Sequence, residues 1–132
     1  MFVECATAQL SCFSNLTAAS CGPTLSVTFT PNGANGNQTI TMSAAGLHAN
    51  AFTVLQWGDA PNALQLPNNC VYGIQPIWGT FHSTNAAGEF SWGRTWPHWA
   101  TANFYMQMGS AVVLPNNDLD ILTTDAVLAG CF

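Results

Sequence analysis

Period-two alternation of apolar and polar residues is the feature that most limits how this chain can fold. Residues 25–30 read Leu-Ser-Val-Thr-Phe-Thr, and residues 39–43 read Thr-Ile-Thr-Met-Ser. Such alternation indicates half-buried strands, because successive strand side chains point to opposite faces. No window shows the apolar periodicity of an amphipathic helix, and the helix formers Lys, Glu and Arg are nearly absent. We therefore expect an all-β chain.

Other segments fit the same pattern, and stretches rich in Gly, Pro and Asn separate them. One of these stretches, residues 59–62, is predicted to be a turn. The further strands are predicted over residues 51–57, 70–77, 89–92, 102–108 and 122–128. Short strands at this spacing are typical of an antiparallel β-sandwich, here of about seven or eight strands over residues 25–132. Residues 1–24 hold three of the cysteines and lack clear periodicity. We expect them to form an irregular N-terminal segment or arm that is pinned by disulfides.

Cysteine usage indicates where the protein is found. The five cysteines are spread from Cys5 to Cys131 and include no Cys-x-x-Cys pair, so they do not resemble zinc ligands or a redox motif. They are typical of disulfides formed in an oxidising compartment, which predicts a secreted, extracellular or cell-surface protein. Their spacing leaves the connectivity open, and the odd number leaves one thiol free or bonded to another molecule.

Charge is scarce, at 5% of residues where an ordinary domain has about 25%. Arg94 is the only Lys or Arg. A single cation cannot neutralise the phosphates of a nucleic acid or bind an anionic lipid surface. No apolar run approaches the roughly 18 residues that span a bilayer, so no membrane insertion is expected. Two interpretations remain: an extracellular domain with a neutral surface, or a subunit that packs against copies of itself.

The tryptophan-rich stretch from residue 91 to residue 99 is the candidate contact surface. Tryptophan is amphipathic, has few rotamers and is enriched at binding surfaces. The stretch fits a contact between copies, a sugar-stacking platform, or a segment in which Trp92 and one other tryptophan belong to the core. The candidate surface residues are Trp92, Arg94, Trp96, His98 and Trp99.

Catalytic and metal-binding patterns are weak. His48, His82 and His98 fall on separate predicted loops, which gives no basis for a metal site. Residues 117–120 offer alternating oxygen ligands, but they lack the glycine and the distal acid of an EF-hand calcium loop. No Gly-x-Ser-x-Gly elbow occurs, and the six acids are scattered. We expect neither an enzyme nor a cofactor.

Several short motifs between Cys21 and Val127 resemble a β-rich domain found at the C-termini of secreted proteins of planctomycetes and myxobacteria. They are Cys21-Gly22-Pro23-Thr24-Leu25, Leu55-Gln56-Trp57-Gly58, Leu66-Pro67-Asn68-Asn69-Cys70, Asn85-Ala86-Ala87-Gly88, Phe104-Tyr105-Met106-Gln107 and Thr123-Thr124-Asp125-Ala126-Val127. The resemblance implies an extracellular β-sandwich in which Cys21 pairs with Cys70, and it implies no activity. We further expect Cys131 to tie the C-terminus to the N-terminal segment through Cys12 or Cys5.

Two functions from different classes follow. The first is a non-enzymatic structural subunit of an extracellular filament, sheath or surface layer, with Trp96 and Trp99 at a contact between copies. The alternative is a secreted, lectin-like module that binds carbohydrate through residues 92–99. The expected partners are therefore copies of the chain itself or a glycan.

Overall fold

The computed structural model describes residues 11–32, 36–66 and 69–132, and within them the chain forms nine strands. The strands are β1 (Cys12–Ala18), β2 (Thr24–Pro31), β3 (Gln38–Ala45), β4 (Phe52–Gln65), β5 (Val71–Ser83), β6 (Phe90–Trp96), β7 (Asn103–Val113), β8 (Leu119–Thr123) and β9 (Ala126–Cys131). The described residues contain no helix long and apolar enough to cross a membrane.

These strands form two antiparallel sheets that pack face to face. The large sheet has six strands in the order β1-β9-β7-β4-β5, with β8 also paired to β7. The small sheet has three strands in the order β2-β3-β6. The predicted antiparallel β-sandwich is confirmed, although the predicted strand over residues 122–128 is divided between β8 and β9.

The core lies between the sheets and is built from alternate residues of their strands. Leu25 and Val27 of β2 are buried, while Ser26 between them is exposed. Opposite them, Met106 and Met108 of β7 are fully buried. Burying side chains of this size contributes about 1.5–3 kcal/mol each to stability. The period-two pattern therefore marks the residues that stabilise the core, and its prediction of these strands is confirmed.

The N-terminal segment differs from the sequence interpretation. Residues 1–10 lie outside the described residues, but Cys12–Ala18 forms strand β1, which pairs with β9 from Cys12 opposite Cys131 onward. Most β1 side chains are exposed, because β1 is an edge strand of the large sheet. It therefore lacks the apolar alternation by which the other strands were predicted. Part of the segment 1–24 belongs to the large sheet.

Two disulfides fasten the N-terminal region to the rest of the fold. One joins Cys12 to Cys131 across 119 positions, and the other joins Cys21 to Cys70 across 49 positions. The second is the pair implied by the resemblance, and Cys12 is the partner of Cys131, while Cys5 lies outside the described residues. By the chain-entropy argument, loops of these lengths contribute about 4–5 kcal/mol each.

Strands β4 and β5 form a long hairpin that bends in its middle. The register shifts on both sides of Gly58, which lies so close to the carbonyl of Gln75 that a side chain would collide with it. Pro76, which has no N–H to donate, is paired opposite Gly58. The turn predicted at residues 59–62 is wrong, because these residues continue β4 as a bulged strand.

Beyond the bend, residues 59–66 and 69–76 form what we call the hairpin arm. The arm folds over the outer face of the large sheet, which is the face turned away from the small sheet. Gly73 of the arm contacts the sheet so closely that a Cβ would lie 2.9 Å from the Cβ of Ala126. The Cys21–Cys70 disulfide holds the arm at its tip.

Gln107 of β7 is the polar anchor of the arm. It points to the outer face, since its neighbours in β7 point into the core, yet it is only 3% exposed. Its side-chain amide donates to the carbonyls of Val71 and Thr124 at 2.8 and 2.9 Å, and its carbonyl oxygen accepts the N–H of Gly73 at 2.9 Å. One side chain thus satisfies three buried backbone groups.

Replacing this anchor with an apolar side chain of similar shape tests its role. In Gln107→Leu the N–H of Gly73 and the carbonyl of Thr124 lose the side chain that bonds to them, while the carbonyl of Val71 keeps the hydroxyl of Thr123. We expect the free energy of unfolding to fall by about 3 kcal/mol. The control Gln75→Leu, at an exposed position of the arm, should change it by less than about 0.5 kcal/mol. Urea unfolding of both variants measures this, and equal stability of the two would contradict the role given to Gln107.

Candidate functional site

Strand β6 carries the first half of the tryptophan-rich stretch and extends four residues further than predicted, to Trp96. Alternation along β6 therefore turns Trp92 and Trp96 to the same, core-facing side. Trp96 is 9% exposed, meets the ring of Phe29 edge-on at 5.6 Å, and donates its indole N–H to the carbonyl of Ala100 at 2.8 Å. Trp96 is a core residue, which fits the interpretation in which Trp92 and one other tryptophan belong to the core and weighs against the predicted contact of Trp96 with a neighbouring copy.

His98 and Trp99 lie in the loop after β6. The backbone N–H of His98 donates to the side-chain oxygen of Asn37 at 2.8 Å, which fixes the loop against the start of β3. Trp99 is 71% exposed. The five predicted surface residues thus fall into three places, with Trp92 beside Arg94, Trp96 in the core, and His98 and Trp99 in the loop.

Trp92 is part of a row of aromatic side chains that links the two sheets. The ring of Trp57 in β4 lies 6.0 Å from that of Trp92 and stacks on that of Trp78 in β5 at 5.1 Å. Trp57 is buried, and its indole N–H has no acceptor among the described residues, so it contributes packing to the row. Trp78 is 54% exposed, although it shares the core-facing side of its strand with Trp57.

This exposure follows from the widths of the sheets. The small sheet ends at β6, the large sheet ends at β5, and no further strand covers the gap between these two edges among the described residues. We call this place the open edge. Its core-facing side chains are Trp78, Thr80 and His82 from β5 and Phe90, Trp92 and Arg94 from β6.

Arg94 lies over Trp92 at the open edge, with its guanidinium carbon 4.9 Å from the ring centroid. One guanidinium nitrogen donates to the carbonyl of Gly93 at 3.0 Å. Arg94 forms no ion pair with any carboxylate of the described residues. The aromatic face holds the cation in place while most of its donors remain available to solvent.

His82 lies on the same edge and contacts both strands. Its ring is 4.5 Å from that of Phe90, and its Nε2 is 2.7 Å from the hydroxyl of Thr80. Burial, and secondarily the positive charge of Arg94, lowers the pKa of His82 below its ordinary value. His82 was predicted to lie on a loop, and the structure places it in β5.

The outer face of the large sheet carries a second notable surface. Strand pairing places Val54 between Phe81 and Gly109, and it places Phe52 between Ser83 and Ala111. We define the outer patch as Phe52, Val54, Phe81, Val113, Leu119 and Ile121. Phe52 and Phe81 are 58% and 69% exposed, and their rings stack at 5.2 Å.

Between this patch and the hairpin arm runs an apolar groove of about 230 Å³. Leu66 and Tyr72 form the arm side of the groove, and Phe52, Val54 and Ile121 form its floor and far wall. Tyr72 bonds through its hydroxyl to Gln56 of the sheet. The outer face is thus apolar both in the groove and beside it, whereas the small sheet turns Ser26, Thr28, Ser43 and other hydroxyl residues outward.

A polar chain of His48, Ser110 and Asp120 resembles a nucleophile–base–acid set in its residue types. Nδ1 of His48 is 2.8 Å from the Ser110 hydroxyl, and Nε2 is 2.7 Å from a carboxylate oxygen of Asp120. Ser110 is 2% exposed, and its hydroxyl also accepts the backbone N–H of His48. The set therefore ties the β3–β4 connection to β7 and β8, and it does not present a nucleophile to solvent. Sequence reasoning missed it, because the three residues are distant in the chain.

No group of three or more His, Cys, Asp or Glu side chains suitable for a metal ion occurs in the described part of the chain. Comparison with known proteins identifies no relative. A scan against protein-family models, a search of curated proteins and a search of solved structures found no match. The resemblance to the planctomycete and myxobacterial domain accordingly stays a prediction.

The last two tryptophans of the stretch, Trp96 and Trp99, should differ sharply in their effect on stability. Trp96→Ser leaves a cavity beside Phe29, and we expect the free energy of unfolding to fall by about 3–5 kcal/mol. Trp99→Ser removes an exposed side chain and should change it by less than about 0.5 kcal/mol. Thermal unfolding followed by tryptophan fluorescence distinguishes them, and a larger loss in Trp99→Ser would show that the two roles are reversed.

The lowered pKa of His82 predicts a loss of stability in acid. As the pH falls below the ordinary value of 6.5, the unfolded chain binds a proton at this histidine before the folded chain does. The unfolded state is thereby favoured, so the free energy of unfolding decreases as the pH falls from 6.5 to the pKa of His82 in the folded chain. Urea unfolding from about pH 7.5 to about pH 5 should show a smaller loss in His82→Gln than in the wild type. In Arg94→Gln, an NMR titration should show the pKa of His82 moving upward, and a downward movement would contradict the assignment.

Proposed function

We propose that the protein is a non-enzymatic extracellular subunit that assembles with copies of itself through the outer patch. The observation that carries this proposal is the stacked pair Phe52 and Phe81, more than half exposed on the outer face of strands β4 and β5. A contiguous exposed apolar patch of this kind is typical of a protein contact surface.

The energetics of the patch favour a second copy of the chain as its partner. None of its residues is charged, and Gly109, Ala111 and Ser83 fill the positions between them. Covering this surface removes apolar area from water and desolvates no ion, and fully burying one exposed phenylalanine contributes about 1.5–3 kcal/mol. Charged residues make up only 5% of the chain, so two copies can meet at this patch without bringing like charges together.

Extracellular location is supported by the two disulfides, since such bonds persist in oxidising compartments. The lectin-like alternative, as drawn from residues 92–99 alone, is weakened by the burial of Trp96. Without Trp96 the segment offers two separated indoles, Trp92 and Trp99, in place of a continuous platform. Self-assembly is therefore the function that the geometry favours. The filament, sheath or surface layer formed by such a subunit is part of the same proposal.

Removing one ring of the stacked pair tests the contact. Phe81→Ser should weaken self-association about tenfold or more, because the burial of that ring on assembly is lost. The matched control is Phe132→Ser, an equally exposed phenylalanine at the other side of the large sheet, which should associate like the wild type. Sedimentation velocity over a range of concentrations measures both, and negative-stain microscopy shows the assemblies.

Two results would contradict the proposal. The first is a wild-type chain that sediments as a monomer at every concentration. The second is a Phe81→Ser chain that assembles as the wild type does. Circular dichroism of each variant must retain the β signature, so that a loss of assembly is not a loss of fold.

A further inference from the structure

The open edge combines exposed aromatic surface with Arg94, the single Lys or Arg of the chain. Trp78 faces inward by its position in β5, but it remains 54% exposed because the small sheet stops short of it. Trp92 extends the aromatic surface from the opposite edge, with buried Trp57 between them. The rings are held by packing on three strands, so little conformational entropy is lost when a ligand binds to them.

An indole face of this kind suits the C–H face of a sugar ring, because it is flat, apolar and rigid. The groups beside it are polar and able to bond to hydroxyls. Thr80 and His82 alternate with Trp78 along β5, and the hydroxyl of Thr80 is already oriented by Nε2 of His82. Apolar surface combined with a few placed polar groups is the usual composition of a small-ligand site.

The positive charge of Arg94 narrows the class of sugar that would bind at the open edge. Arg94 is the single Lys or Arg in a chain of formal net charge −5, and no carboxylate of the described residues pairs with it. A guanidinium presents a planar fork of donors that matches the two oxygens of a carboxylate. Elsewhere on this acidic protein an anionic ligand meets repulsion, but at the open edge it meets the cation.

We propose that the open edge binds an acidic carbohydrate, with Trp78 stacking on the sugar and Arg94, held over Trp92, pairing with a uronate carboxylate. This site differs from the outer patch in residues, in sheet face and in chemistry. It does not depend on self-assembly, and the two proposals fail separately.

The experiment measures binding of three uronate oligosaccharides, from polygalacturonate, alginate and hyaluronan, by isothermal titration calorimetry. The protein is the Phe81→Ser chain, so that association between copies does not compete with binding. At least one of the three should bind, and esterifying its carboxylates to neutral methyl esters should weaken binding about tenfold or more, as should raising the salt concentration.

Single substitutions test which side chains of the open edge contact the oligosaccharide. Arg94→Gln should weaken binding of the acid about tenfold and leave binding of the methyl ester nearly unchanged, which separates a lost ion pair from a damaged fold. Trp78→Ser should weaken binding of both forms. The matched control Trp99→Ser removes an exposed tryptophan outside the open edge and should bind like its parent.

The proposal is overturned if none of the three oligosaccharides binds, if acid and ester bind equally, or if Arg94→Gln binds the acid as well as its parent does. It is also overturned if Arg94→Gln changes the sedimentation of the otherwise wild-type chain and no glycan binds. In that case the cation pairs with an acidic group of a second copy.

Discussion

The packing of a three-stranded sheet on a six-stranded sheet determines which side chains of this protein meet water. Where the small sheet covers the large one, the core is closed by Met42, Leu55 and Met106. Where it stops, Trp78 keeps a core-facing position without a cover. The mismatch in width therefore creates an exposed aromatic surface without any loop or insertion, and that surface is fixed by the same strands that build the core.

The hairpin arm covers part of the outer face of the large sheet, on which the small sheet does not pack. It buries Gln107, and the Cys21–Cys70 bond holds it where it crosses the sheet. The arm ends short of Phe52 and Phe81, which leaves the outer patch beside it. One face of the large sheet thus has three environments: a region under the arm, a groove along the arm and an open patch. The disulfide and the bonds of Gln107 hold the arm over the first of these, and the bond between Tyr72 and Gln56 lies in the groove.

The sequence predicts those strands whose own alternation of apolar and polar residues determines which side chains are buried. Residues 25–30 alternate because β2 has one buried and one exposed face, and the prediction holds. Gly93 and Arg94 interrupt the apolar pattern of β6, so the predicted strand ends at Trp92 and the sequence gives no face for Trp96. The meeting of Trp57 with Trp78 depends on the register of a bent hairpin. Their separation in the chain gives no local signal of it.

The Cys12–Cys131 bond has a mechanical consequence when the chain is pulled on the two sides of this pair. These two residues face each other across the antiparallel pair β1 and β9. Tension that enters the chain on the far side of Cys12 and leaves it beyond Cys131 passes through the covalent bond and never loads the sheets. With the bond reduced, the same tension would open the pair from its end, one hydrogen bond at a time. The oxidised chain is thus inextensible along this path, and the reduced chain unzips.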